Sequence, residues 1–179
     1  PPTDEEGWSG LQTFVRELTI RKGKLYQTPV RGFESLKKDE LFCAKNGEII
    51  SDKLHGQMPS SAIIRIENPD AESLDLNLFS RNYVIARGFA ISYEKYTKRL
   101  RIDRSDLTNQ LNVEYGTDRQ IILENGLTSM DIFVDHSTVE IFVNEGEYVL
   151  SARIFPTKEE HMIRMGGKNL NLSIWSTEP

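Results

Sequence analysis

The sequence predicts an all-β protein in which two antiparallel sheets form a β-sandwich of the jelly-roll or concanavalin-like type. Short runs rich in β-branched and aromatic residues recur at intervals of about 8 to 12 residues, separated by Gly, Pro, Asn and Asp. Helical apolar periodicity is nearly absent. The 179 residues suit a single domain with a substantial apolar core. We therefore expect about twelve strands and one short linker helix.

The expected strands follow from these runs. They are Leu11–Ile20, Lys24–Val30, Ser61–Glu67, Ser73–Phe79, Tyr83–Ser92, Arg99–Asp103, Arg119–Glu124, Ser129–Asp135, Val139–Asn144, Glu147–Phe155 and Asn169–Trp175. Only Phe33–Leu41 has a partial helical stripe, and it is interpreted as the linker helix. Gly166-Gly167 is interpreted as a turn.

The segment Ser129–Phe155 permits a prediction of strand register. A turn at His136-Ser137 and a second turn at Glu145-Gly146 would align three strands so that one face is wholly apolar. The predicted pairs are Met130 with Val143, Ile132 with Ile141, Val134 with Val139, Val143 with Tyr148, and Ile141 with Leu150. This apolar face is expected to line the core.

The opposite face of the same strands is also partly apolar. It carries Phe133, Phe142, Val149 and Phe155 beside acidic side chains. Water is a poor neighbour for so many aromatic rings. Two interpretations remain open: loops or edges of the same domain cover them, or they form a docking surface for another domain or subunit.

Composition excludes several classes of partner. Lys and Arg total 22 and Asp and Glu total 27, which gives a net charge of −5 without a long block of one sign. Because phosphate backbones require a clustered basic surface, nucleic acid is not an expected partner. The longest apolar stretches fall far below the roughly 20 residues that cross a bilayer, so no membrane partner is expected.

No metal or cofactor site is expected. Cys43 is the single cysteine, which excludes an internal disulfide and a thiolate zinc cluster. His55, His136 and His161 share no ligand spacing, and no zinc-binding helix motif accompanies them. The histidines are therefore interpreted as ordinary surface or loop residues.

The acidic residues do not predict a catalytic pair. Glycoside cleavage needs two carboxyls within about 5 to 10 Å of each other. Asp131 and Asp135 lie on one expected strand, where about 13 Å would separate them. Asp131 and Glu140 would be closer, as diagonal neighbours across the hairpin. An exposed strand face, however, offers no burial to raise the pKa of an acid.

Two stretches of the sequence resemble a known family. The first comprises Gly7–Leu11, Val15–Thr19 and Gly23–Val30, which read GWSGL, VRELT and GKLYQTPV. The second comprises Ile132–Glu147, which reads IFVDHSTVEIFVNEGE, and Arg153–Pro156, which reads RIFP. In order and separation they resemble two parts of glycoside hydrolase family 32: the segment that joins the catalytic propeller to the C-terminal sandwich, and a late hairpin of that sandwich.

The family includes invertases, sucrose-6-phosphate hydrolases, levanases and inulinases. The resemblance implies a five-bladed N-terminal β-propeller that holds the active site and a C-terminal sandwich of two antiparallel sheets. The family's catalytic acids lie in Asn-Asp-Pro-Asn-type, Arg-Asp-Pro and Glu-Cys motifs, and none of these motifs occurs in this sequence. We therefore expect no hydrolysis by the isolated chain.

The resemblance also divides the chain. Residues 1–31, hereafter the lead-in, are expected to come from the end of the propeller and the linker, and residues 32–179 to form the sandwich. The expected role is that of a non-catalytic structural module that packs on its own propeller. The parent enzyme would cleave the terminal β-fructosidic bond of sucrose, sucrose 6-phosphate or fructan. A contribution to homo-oligomerisation is left open, and the cytoplasm is favoured over secretion.

Several residues are candidates for the boundary between the two domains. They are Trp8, Arg16, Glu17, Phe133, Phe142 and Phe155. The alternative function is a carbohydrate-binding module that holds fructan away from the active site, because aromatic rings can stack on sugars and β-sandwiches serve many functions.

Overall fold

The fold is all-β, as the sequence predicts. The computed structural model describes residues 2–44, 58–67, 71–81 and 88–178, which form thirteen strands and three short 3₁₀ helices. The strands are β1 (Arg16–Arg21), β2 (Lys24–Pro29), β3 (Glu40–Ala44), β4 (Ser61–Glu67), β5 (Ser73–Ser80), β6 (Phe89–Glu94), β7 (Arg99–Asp103), β8 (Asp118–Ile122), β9 (Ser129–Asp135), β10 (Thr138–Val143), β11 (Tyr148–Arg153), β12 (Met162–Lys168) and β13 (Asn171–Ser176). The 3₁₀ helices are Pro2–Glu6, Phe33–Leu36 and Val113–Tyr115.

Two large antiparallel sheets form the sandwich. The six-stranded sheet has the order β11-β10-β9-β4-β13-β3, and the five-stranded sheet has the order β12-β5-β6-β7-β8. One apolar core lies between them, with Ile64 and Ile132 from the first sheet and Leu76, Ile91 and Leu100 from the second fully buried. The lead-in adds a separate hairpin of β1 and β2. The expected two-sheet sandwich is confirmed.

The register predicted for β9, β10 and β11 is confirmed at every pair. Val143 pairs with Met130 on one side and Tyr148 on the other, and Ile141 pairs with Ile132 and Leu150. Val134 pairs with Val139. The turns contain residues with positive φ, including His136 at 44° and Gly146 at 82°, which allow tight reversal of the chain. The apolar face of these strands lines the core, as expected.

The linker helix is shorter than the sequence predicts. A 3₁₀ helix covers Phe33–Leu36, and the chain becomes extended at Lys37. Glu40–Ala44 instead forms β3 at the edge of the six-stranded sheet, where it pairs with β13. The prediction of helix as far as Leu41 was therefore wrong. The hydrogen bonds available along β13 outweigh a weak local stripe.

Two other local expectations changed. Gly166-Gly167 is not a turn, because both residues lie within β12 and pair with Asp75 and Leu74 of β5. A β-carbon on Gly167 would lie 2.2 Å from Leu170 Cδ1, so a close approach explains the glycine there. The strand expected over Tyr83–Ser92 is seen from Phe89 onwards, and residues 82–87 lie outside the described residues, as does His55.

Candidate functional site

The outer face of the six-stranded sheet carries a cluster of buried aromatic side chains. Phe133 on β9 is 6% exposed and Phe142 on β10 is 2% exposed, and their ring centroids lie 5.5 Å apart in an edge arrangement. Phe14 of the lead-in stacks on Phe133 at 4.3 Å, and Phe33 meets the same ring edge-on at 5.3 Å. The aromatic face is thus covered within this chain, by Phe33 of the expected sandwich domain and by Phe14 of the lead-in.

A buried ion pair fixes the lead-in beside these rings. Arg16 Nη2 donates to Glu140 Oε2 at 2.6 Å, and the Glu140 side chain is 4% exposed. The other oxygen of Glu140 accepts the backbone N–H of Phe14. Arg16 also donates to Gln27 Oε1 at 3.1 Å and to Ser151 Oγ at 3.0 Å. A charge in so sheltered a position needs these partners, because an unpaired buried carboxylate is costly.

The lead-in hairpin is also attached at its turn end. Gln27 N–H donates to the carbonyl of Gly146 at 2.9 Å, so the β10–β11 turn contacts β2 directly. Lys24 donates to Glu124 and to Glu147, the latter at 3.2 Å, and the hydrogen bond that Glu124 accepts is the main reason that the pKa of Lys24 lies above its ordinary value. The hairpin therefore has a fixed position on the sandwich.

Glu17 lies within the lead-in rather than against the sheet. The backbone N–H of Arg31 donates to Glu17 Oε1 at 2.7 Å, and Arg31 Nε lies 2.9 Å from Oε2. These bonds, the backbone one first, hold the pKa of Glu17 below its ordinary value. Glu17 thereby joins the start of β1 to Arg31, the residue that ends the lead-in after β2.

Trp8 and Phe155 flank one arginine. The guanidinium carbon of Arg153 lies 4.9 Å from the centroid of Phe155 and 5.8 Å from that of Trp8, within the range of cation–π attraction. Arg153 Nη1 donates to the Ser9 carbonyl at 3.0 Å. Phe155 is buried, whereas Trp8 is 42% exposed and donates to Glu6 at 2.9 Å.

One face of the lead-in hairpin remains uncovered in the described part of the chain. Arg16, Leu18 and Ile20 alternate on β1 and share this face with Leu25, which pairs with Ile20. The sandwich covers Arg16, but Leu18, Ile20 and Leu25 are 64%, 79% and 52% exposed. We call these three side chains the hairpin apolar face. Such contiguous exposed apolar surface is typical of an interaction site.

The structure thus separates the six candidate residues into three groups. Phe133, Phe142 and Arg16 lie together where the lead-in meets the sheet. Trp8 and Phe155 lie around Arg153, and Glu17 binds Arg31 within the lead-in. Sequence reasoning missed the covering rings Phe14 and Phe33, as well as the hairpin apolar face. One signal for this cover was present in the sequence. Strand alternation places the carboxylate of Glu140 on the same face as Phe133 and Phe142. A carboxylate among aromatic rings requires a cation and an apolar segment to pack against that face.

The carboxyls near this surface are paired with cations. Arg65 Nε donates to Asp131 Oδ1 at 2.7 Å, and the side chain of Glu140 is bound by Arg16. The pKa of Glu124 is lowered by its hydrogen bond from Lys24, whereas a general acid requires a raised pKa. This arrangement is typical of structural ion pairs. No group of three or more potential metal ligands occurs among the described residues. In the same residues, no helix has the length and apolar character needed to span a bilayer.

Comparison with known proteins identifies the family. Residues 32–176 match the model described as "Glycosyl hydrolases family 32 C terminal". A sucrose-6-phosphate hydrolase of Staphylococcus xylosus is 32% identical over 86% of this chain, and one from Streptococcus mutans is 30% identical over 93%. These matches cover 31% and 33% of the relatives, so the chain spans about a third of their length.

A solved structure supports the same relationship. The sucrose-6-phosphate hydrolase of Lactobacillus gasseri superposes with a TM-score of 0.82 at 28% identity, over 99% of this chain and 36% of that one. The resemblance read from the two sequence motifs is confirmed. The chain belongs to glycoside hydrolase family 32 and carries the C-terminal domain of that family.

Proposed function

We propose that this chain is the non-catalytic C-terminal module of a β-fructosidase and that its hairpin apolar face packs on the N-terminal propeller. The parent enzyme would hydrolyse the terminal β-fructosidic bond of sucrose, sucrose 6-phosphate or fructan. The relatives named as sucrose-6-phosphate hydrolases, about three times as long as this chain, support an activity located in the remaining two thirds.

The observation that carries the proposal is the contrast between the polar and the apolar side chains of the β1–β2 hairpin. Arg16 and Lys24 are held by carboxylates of the sandwich. Leu18, Ile20 and Leu25 instead remain largely exposed among the described residues. Burial of each apolar side chain would contribute about 1 to 2 kcal/mol. A rigid hairpin with three such side chains is suited to docking a neighbouring domain.

The docking role is tested in the full-length protein with Ile20→Glu. A carboxylate in the proposed interface is expected to lower the thermal midpoint and to expose the lead-in to limited proteolysis. Leu41→Glu is the matched control, because Leu41 is a comparably apolar and half-exposed residue on β3, at the edge of the six-stranded sheet opposite to β11, beside whose turn the hairpin lies. Equal responses of the two variants would remove the proposed interface.

The lack of catalysis and the carbohydrate-binding alternative are tested with the 179-residue chain. No fructose should be released from sucrose, sucrose 6-phosphate, inulin or levan, since none of the family's acidic motifs is present. Calorimetric titration with the same sugars separates the two functions. Saturable heat that disappears on substitution of Trp8 would favour sugar binding, whereas no heat would favour the structural role.

Sedimentation of the chain alone addresses self-association. A dimer that dissociates in Ile20→Glu and persists in Leu41→Glu would assign the hairpin apolar face to a second copy of this chain. If the unsubstituted chain and both variants are monomers, the hairpin apolar face does not bind a second copy, which favours the propeller as its partner.

A further inference from the structure

A second recess lies at an open edge of the sandwich, away from the hairpin apolar face. Its volume is about 270 Å³, and it is lined by Ser151–Arg153 of β11, by Ile102 of β7 and by the segment between β7 and β8. Phe89, Ile102 and Leu111 provide apolar surface, and Asn112 and Thr117 provide polar groups. The recess is too small for a polymer but fits a small metabolite.

Three arginines line this recess, which we call the arginine pocket. They are Arg104, Arg119 and Arg153, and the described lining residues include no Asp or Glu. The whole chain, by contrast, has a net charge of −5. Such a concentration of positive charge creates a local potential that attracts anions.

Arg153 has donors that the described residues leave unused. Its Nη1 donates to the Ser9 carbonyl, but its Nε and Nη2 atoms are buried and have no hydrogen-bond partner in the described part of the molecule. Phe155 and Trp8 hold the guanidinium from its sides. Both atoms are closed to solvent, so an anion in the recess would not contact them directly. It would still be stabilising through the charge of the guanidinium, because an uncompensated buried charge raises the free energy of the protein.

The other two arginines complement Arg153. Arg119 is oriented by the carbonyls of Asp118 at 2.6 Å and Tyr115 at 3.1 Å. The side chain of Arg104 is half-buried and has no hydrogen-bond or ion-pair partner among the described residues. The recess is therefore lined by Arg119, whose guanidinium is oriented by backbone carbonyls, and by Arg104, whose guanidinium has no partner among the described residues, in addition to Arg153.

A second groove shows why the number of arginines is not sufficient. The groove of about 510 Å³ beside Phe33 is also lined by three arginines, namely Arg21, Arg31 and Arg65. Its lining, however, includes the carboxyls of Glu34, Glu67, Asp131 and Glu145, and Arg65 is bound by Asp131 at 2.7 Å and by Glu34 at 2.6 Å. The charges there are internally neutralised, whereas those of the arginine pocket are not.

We propose that the arginine pocket binds the phosphoryl group of a small phosphorylated metabolite. Guanidinium groups match the oxygens of a phosphate through paired N–H donors, and a phosphate monoester carries close to two negative charges at neutral pH. The apolar surface and the polar groups of Asn112 and Thr117 are suited to a small organic remainder of sugar size. This site goes beyond the structural role proposed above and does not depend on it.

The test is calorimetric titration of the 179-residue chain at low ionic strength with glucose 6-phosphate, inorganic phosphate and glucose as probes. Saturable binding is expected for the two phosphates and none for glucose. Tighter binding of glucose 6-phosphate than of inorganic phosphate assigns the site to an ester, and equal binding assigns it to free phosphate. Amide NMR signals of Asn112, Gly116 and Thr117 should shift on titration, which locates the site without any substitution.

Variants provide a second readout. Arg104→Gln should weaken glucose 6-phosphate binding about tenfold or more, because one charge-assisted donor is lost. Arg99→Gln is the matched control, since Arg99 lies on β7 but does not line the pocket. Arg119→Gln serves as a replacement if Arg104→Gln does not fold.

Three results would overturn the proposal. The first is that a chain with a cooperative melting transition shows no saturable binding of either phosphate. The second is that glucose and glucose 6-phosphate bind equally well. The third is that Arg99→Gln weakens glucose 6-phosphate binding as much as the pocket variants do. Binding by the 179-residue chain that is lost in the full-length protein would also overturn it, because the pocket would then be occupied by the remainder of the protein.

Discussion

The two large sheets differ in what covers their outer faces. On the six-stranded sheet, Phe133 and Phe142 point outwards and are buried beneath the lead-in. On the five-stranded sheet, the corresponding surface is polar, with Arg101 bound to Asp103 at 2.8 Å and to Asp118 at 3.1 Å. The inner faces of both sheets are equally apolar. The polarity of a strand's outward side chains therefore indicates whether another segment must cover that face of the sheet.

The comparison also assigns a structural role to the lead-in. Through Phe14 and Arg16 it supplies apolar and ionic contacts that the six-stranded sheet lacks by itself. On the five-stranded sheet, outward side chains such as Arg101, Asp103 and Asp118 are instead paired with one another. The lead-in is thus integrated with the sandwich, whichever domain it continues from.

The largest expected effect is that of Phe133→Ala. Phe133 contacts three other rings, and its truncation should lower the free energy of unfolding by about 3 to 5 kcal/mol through lost burial and a residual cavity. Ser92→Ala on the outer face of β6 is the control and should change stability by no more than about 0.5 kcal/mol. Urea denaturation measures both. Similar values would contradict the distinction between a covered and an open sheet.

The next effect concerns the buried ion pair. Glu140→Ala should lower the free energy of unfolding by about 2 to 3 kcal/mol, because Arg16 keeps a sheltered charge without its acceptor. Asp118→Ala removes a solvent-exposed partner of Arg101 and should cost at most about 1 kcal/mol. A double-mutant cycle of Arg16→Ala and Glu140→Ala should yield a clear coupling energy. Coupling near zero would mean that the pair does not hold the lead-in.

Gly146→Ala sharpens the comparison at the point where the lead-in meets the β10–β11 turn. Gly146 has a φ of 82°, and a β-carbon there would lie 2.2 Å from the carbonyl oxygen of Gln27. We expect a loss of about 2 kcal/mol, from strain and displacement of β2. Gly23→Ala has a similar φ but open space around it, so about 1 kcal/mol is expected. Thermal unfolding measures both losses of stability. Equal losses for Gly146→Ala and Gly23→Ala would contradict the close contact between Gly146 and Gln27.

The smallest difference between the two regions is expected in the loss of stability at acidic pH. The backbone N–H of Arg31 lowers the pKa of Glu17 in the lead-in, and the ammonium of Lys168 lowers that of Glu72 beside the five-stranded sheet. Because both folded-state pKa values are depressed, their stabilisation is fully present above the ordinary value of 4.5 and is lost as the pH falls through the lower folded values.

Glu17→Gln and Glu72→Gln should therefore each reduce the pH dependence of the urea midpoint below about pH 4.5 by a similar, small amount. Both groups are solvent-screened, so their location on the covered or the open side should have little influence. A much larger effect of Glu17→Gln would show that its bonds to Arg31 control attachment of the lead-in.

Local sequence patterns predicted the sandwich well. The bounds of Ser61–Glu67, Arg99–Asp103 and Ser129–Asp135 agree with the structure, and the registers of β9 to β11 were predicted residue by residue. These segments combine strict alternation with turn residues that tolerate positive φ. A one-residue shift would bring polar groups into the core, which leaves a single stable register.

The errors arose where tertiary contacts override weak local signals. The start of β3, Glu40-Leu41, was predicted as helix because Phe33–Leu41 has a partial helical stripe, yet the chain pairs there with the edge of β13 as a strand. β12 was missed because Gly166-Gly167 normally indicates a turn, whereas here the missing side chains allow close approach to Ser73 and Leu170. The paired strands, β13 for β3 and β5 for β12, are distant in the sequence.

The sequence by itself determined the family, the all-β class, and the inward faces and turns of β9 to β11, because these depend on residue identity and short-range periodicity. Only the tertiary structure decided which segment covers Phe133 and Phe142, which arginine neutralises Glu140, and which arginines surround a pocket without carboxylates. The physical reason is distance along the chain. Arg16 and Glu140 are 124 residues apart, and no local preference specifies that they meet.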